Sequence, residues 1–75
     1  MPPDFAPGVL VTVVDDEDRQ REAALSYGLK RSRYYKVDSV QLPLIGSDRE
    51  IFLLDYIEEE FLPAAVPEGL LRVVI

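Results

Sequence analysis

The chain has 75 residues and a net charge of −6, with 48% hydrophobic and 29% charged residues. That is the composition of one small folded domain; near this size only about 60% of the unfolded surface is buried, so its core must be thin. It contains no histidine and no cysteine, which excludes an imidazole base, a thiolate nucleophile, a disulfide and an ordinary zinc site.

Residues 1–8, with three prolines and a glycine, read as an irregular lead-in. Residues 9–75 read as a single small β-rich domain. Val9–Asp15 (VLVTVVD) is β-branched and apolar on both faces, which predicts an inner strand. Asp16–Tyr27 reads as a short helix, with a long charged loop as the competing reading: Asp16 is a suitable N-cap, acids fill the first turn, Glu17 and Arg21 are spaced as an i,i+4 pair, and Gly28 follows the last turn. Tyr34–Leu42 alternates as a strand, but the apolar spacing slips between Val37 and Val40 and predicts a bulge near Asp38–Ser39. Residues 43–49 (PLIGSDR) read as a turn and Glu50–Ile57 as the next strand. Pro63 and Pro67 forbid a long helix or a central strand between them, and Leu70–Ile75 reads as a closing strand. Strands at intervals of roughly ten residues predict a mainly β domain with one short helix, built as a small barrel or a strongly bent antiparallel sheet. The expected core is Val9, Val11, Val13, Leu25, Leu29, Tyr35, Val37, Val40, Ile51, Leu53, Phe61, Leu70 and Val73.

The segment Leu29–Val40 (LKRSRYYKVDSV) resembles the L-x-x-G-K-x-Y-x-V-x-x-V stretch of small SH3-like barrel proteins of bacteriophages and prophages. Val11–Asp16 matches their V-x-V-x-D opening strand, and Phe61-Leu62-Pro63 with Leu70–Val74 resembles their closing segment. Ser32 stands where that pattern has glycine, and the stretch between Asp16 and Gly28 is longer and more helical than the usual loop. The resemblance implies an SH3-like fold and a phage origin, and says little about activity.

Four scattered glycines, at 8, 28, 46 and 69, make no phosphate loop, and no G-x-S-x-G elbow surrounds a serine. Enzymatic activity, a cofactor and a bound metal are therefore not expected. Asp15–Asp18 has the wrong spacing for a calcium loop and reads as a solvated strand-to-helix junction. The start MPPDFAPG has neither the basic nor the apolar region of a secretory signal, and no apolar run spans a membrane, so a cytoplasmic location is expected.

Two surfaces remain. Residues 1–37 balance six acids against six bases, whereas residues 38–75 set eight acids against Arg49 and Arg72 and hold all the net charge. Within the acidic half, Asp55, Tyr56, Glu58, Glu59, Glu60 and Phe61 form an acidic-aromatic cluster. It supports a non-enzymatic protein-binding module acting on a larger, basic or nucleic-acid-binding protein, in its sharpest form a phage-encoded inhibitor of a host protein. A solvated turn is the plainer reading of Glu58–Glu60. The alternative is nucleic-acid binding through Lys30, Arg31, Arg33, Tyr34 and Lys36, since cations beside aromatics suit single strands by charge and stacking; Tyr35 shares a face with Val37 and is assigned to the core. An exposed strand edge also leaves a dimer open.

Overall fold

A computed structural model of the protein describes residues 5–42 and 48–74. The chain runs β1 (Leu10–Val13), α1 (Glu17–Tyr27), β2 (Tyr35–Gln41), β3 (Glu50–Asp55), β4 (Val66–Pro67), a 3₁₀ turn (Glu68–Leu70) and β5 (Leu71–Val73). The strands form one antiparallel sheet in the order β4-β3-β2-β1-β5. Among the described residues the edge strands β4 and β5 share no ladder, so the sheet is open and not a closed barrel.

The β-branched run of β1 takes the inner position expected of it, between β2 and β5. Val11 and Val13 enter the core. Thr12 is covered as well, and its hydroxyl donates to the Arg33 carbonyl at 2.9 Å, which lets a polar side chain be buried without an unmet hydrogen bond.

The helix begins and ends where its caps dictate. The Asp16 carboxylate accepts from the Arg19 N–H at 3.1 Å, and Gly28 closes the helix at φ 71°. That left-handed conformation is open to glycine at little steric cost. Of the helical residues only Ala23 is fully buried. Leu25, expected in the core, is 80% exposed: two residues from Ala23 it lies about 200° around the helix, on the solvent side. Nor does Arg21 pair with Glu17; it reaches Asp18 instead, at 3.9 Å and fully in solvent.

The bulge in β2 is real. Val37 pairs with Leu53 and Ser39 with Phe52, so Asp38 is the extra residue that breaks the alternation. Beyond it Val40 comes back opposite Ile51. The first half of β2 pairs β1 on one side while the whole strand pairs β3 on the other.

β3 ends at Asp55, two residues earlier than its composition suggests, because the Asp55 side chain captures the next backbone amides. β4 is only two residues long, and its Pro67 sits at the sheet edge, where a missing N–H breaks no inner ladder. Residues 43–47 of the expected turn at 43–49 lie outside the described residues, as does Ile75 at the end of the closing strand.

One apolar cluster joins these elements: Val11, Val13, Ala23, Leu29, Tyr35, Val37, Ile51, Leu53, Val66, Leu70 and Leu71. Val9, Val40 and Val73 lie against it half-buried, and Phe5 from the lead-in also packs there. The lead-in is tied down, since the Gly8 N–H donates to the Val37 carbonyl at 2.8 Å and the Arg49 guanidinium lies 5.7 Å from the Phe5 ring. Phe61, the second core expectation that fails, is 66% exposed. Among the described residues no helix is long and apolar enough to cross a membrane.

Candidate functional site

The acidic-aromatic segment is a turn held from below. Asp55 closes β3 with its carboxyl buried, 7% exposed. It accepts from the Ile57 and Glu58 N–H groups, each at 2.9 Å, and from the Arg33 guanidinium at 3.0 Å. The Glu58 N–H holds the Asp55 carboxyl below the ordinary carboxylate range, with help from Arg33 and the Ile57 N–H, against the opposing effect of burial. The hydrogen bond to Asp55 in turn raises Arg33 above its already high value. Asp55 thus lies beneath the face, where it positions the turn.

The main chain closes around this anchor. The Glu59 N–H donates to the Asp55 carbonyl at 2.9 Å, and the Asp55 N–H donates to the Glu60 carbonyl at 2.8 Å. Making both bonds puts Glu59 at φ 56°, where it is the one non-glycine residue of left-handed backbone among the described residues. Phe61 then bridges Leu54, and the Leu62 N–H reaches the Leu53 carbonyl at 3.1 Å.

What this frame raises into solvent is apolar and acidic together. Tyr56 is 53% exposed and Ile57 is 78% exposed, with Phe61 beside them. Glu58, Glu59 and Glu60 are all exposed around these groups. Sequence reasoning passed over Ile57, reading it as the end of a strand; the signal that marks it is the Asp55 side chain two residues earlier, of a type that caps turns. The same side of the sheet continues the apolar surface. Leu54 lies opposite both Phe61 and Lys36, and Phe52 lies opposite Ser39. The Tyr56 N–H donates to the Tyr34 carbonyl at 3.3 Å, bringing the two exposed tyrosines next to one another.

The basic-aromatic residues of 30–36 are dispersed by the fold. Lys30 and Arg31 turn toward α1, where the Arg31 guanidinium donates to the Gln20 side chain at 3.4 Å. Arg33 is engaged by Asp55 and stands 3.7 Å from Glu58. Tyr34 is half exposed near Tyr56, and Lys36 is exposed on the outer side of the sheet. Tyr35 is buried, its hydroxyl accepting from the Lys30 N–H at 2.9 Å.

Among the described residues no three acidic side chains converge as a metal would need. Comparison with known protein families, curated proteins and solved structures finds no match to this chain.

Proposed function

We propose that the protein is a non-enzymatic binding module that docks on a larger protein through the 56–61 turn. The observation that carries this reading is the pairing of an exposed apolar tip, Tyr56 and Ile57, with a fence of three carboxylates on a backbone fixed in advance. A tip ordered before binding loses little entropy on association, and an apolar anchor inside a charged rim is how small interfaces concentrate affinity. The left-handed backbone at Glu59 supports it further, since strain of this kind is kept where the surrounding structure uses the shape. The complementary partner surface is an apolar pocket rimmed by lysine or arginine, which fits a protein that itself binds nucleic acid. Inhibition of such a protein is the sharpest form of the proposal.

An SH3-like kinship with phage proteins belongs to the same reading. Its support is the bulged β2, which is shared between a β5-β1-β2 half and a β2-β3-β4 half of the sheet.

The test is affinity capture from lysate of the native host with wild type, Ile57→Ser, the triple Glu58→Gln, Glu59→Gln, Glu60→Gln variant, and Leu25→Ser as a surface control. A partner held by wild type and Leu25→Ser but lost with the two turn variants is the expected result. Retention of every captured protein by Ile57→Ser would overturn the assignment of the tip.

A further inference from the structure

Beside α1 this acidic protein carries a positive groove, and Lys30 at its edge also lines a smaller pocket with Asp55 and Glu58. Gly28 reverses the chain after α1, and residues 29–31 run back alongside the helix. Between them lies a cavity of about 390 Å³ lined by Arg21, Lys30 and Arg31, with Glu17 the acid among the lining residues, Ala24 as its exposed apolar wall and Leu29 closing its floor from the core. Pockets for small molecules begin at about 300 Å³ and combine an apolar wall with a few convergent polar groups.

Two features separate this groove from scattered surface charge. Its cations stand on a fixed base: Leu29 is buried in the core, the Lys30 N–H is held by the Tyr35 hydroxyl at 2.9 Å, and the Lys30 carbonyl accepts from the Arg33 N–H at 3.1 Å. Two of them also lack carboxylate partners. Among the described residues neither Lys30 nor Arg31 forms an ion pair, and Arg31 is oriented across the groove by neutral Gln20. Arg21 has only the long, solvent-exposed contact to Asp18. With 14 acids against 8 bases in the chain, Lys30 and Arg31 without an ion pair, and Arg21 with only an exposed one, are positioned for an anion from outside.

We infer that this groove binds a small phosphate-bearing molecule, with Lys30 and Arg31 on the phosphate and Arg21 closing the helix side. Guanidinium groups match phosphate oxygens in pairs and an ammonium adds a mobile point charge. The wall at Ala24 leaves room for an organic group beside the charge.

Amide-resolved NMR titration tests this at constant ionic strength, with inorganic pyrophosphate, AMP and ATP as separate probes. Saturable shifts at Gln20–Ala24 and Leu29–Arg31 are expected, weakened about tenfold for each cation removed in Lys30→Gln and Arg31→Gln, which is the scale of one charge-assisted hydrogen bond. Arg72→Gln, which removes an exposed cation outside the groove, should leave affinity unchanged. Equal binding of pyrophosphate and ATP would assign recognition to the phosphates alone; tighter ATP binding would add the apolar wall. Absence of saturation with all three probes would overturn the inference, and so would equal shifts in the Lys30→Gln, Arg31→Gln double variant. Unchanged amide positions elsewhere in that variant show that it remains folded.

Discussion

Two residues of the turn carry opposite energetic signs. The Asp55 carboxylate is held below its ordinary range by the Glu58 N–H, Arg33 and the Ile57 N–H. A group whose folded pKa is depressed binds fewer protons folded than unfolded, so its stabilising effect is full above the unfolded value of about 3.9 and is lost as pH falls below it toward the folded value. Thermal unfolding followed from neutral pH downward should therefore show a midpoint that drops through the carboxylate range. In Asp55→Asn the neutral-pH midpoint should already be lower and that part of the acid dependence flattened; an unchanged acid profile in Asp55→Asn would show that other carboxylates dominate. Glu59 works the other way, since its left-handed backbone is strained for a residue with a Cβ. Replacing it by glycine removes the strain at some cost in unfolded-chain entropy, and a net gain of about 0.5–1 kcal/mol is expected in chemical denaturation. At this size that is a rise of several degrees in Tm, about 4–8 °C per kcal/mol.

Elements were legible where one local force decides them. The caps of α1, the inner position of β1 and the bulge at Asp38 follow from Asp16, Gly28, a β-branched run and a slipped alternation, all of which act within a few residues. What was not legible depends on contacts distant in sequence. Leu25 and Phe61 are as apolar as the true core residues, yet one faces away from Ala23 and the other stands on the outer side of β3, and neither direction is encoded in the residue type. Ala23, Val66 and Leu71 enter the core because the helix and the two edge strands close over it. The early end of β3 escaped for a similar reason: a run of apolar residues hides a turn whose signal is the single Asp55 side chain. The contrast is measurable. Leu53→Ala should cost about 2–5 kcal/mol because it opens a cavity in the sheet core, whereas Leu25→Ala should stay within about 0.5 kcal/mol. Asp16→Ala removes a cap bond to Arg19 and should cost about 1 kcal/mol. A Leu25→Ala loss as large as that of Leu53→Ala would mean that α1 packs through a different face.

For the molecule as a whole, the proposed docking role divides charge and apolar surface between two tasks. Residues 38–75 hold the net charge of −6, and the turn sets Glu58, Glu59 and Glu60 around Ile57 at one of its most exposed points. A field of one sign accelerates encounter with an oppositely charged partner, while the desolvated anchor governs how long the complex lasts. Once a partner is in hand, the two tasks should separate in binding kinetics. The Glu58→Gln, Glu59→Gln, Glu60→Gln variant should associate roughly tenfold more slowly at low salt with a nearly unchanged dissociation rate. That difference should shrink as ionic strength approaches 0.15 M, where charges are screened beyond about 8 Å. Ile57→Ser should do the reverse, raising the dissociation rate with little effect on association, because it removes apolar contact and no charge. If the triple variant associates as fast as wild type at low salt, the three glutamates are a solvated turn and the acidic half of the chain serves solubility alone.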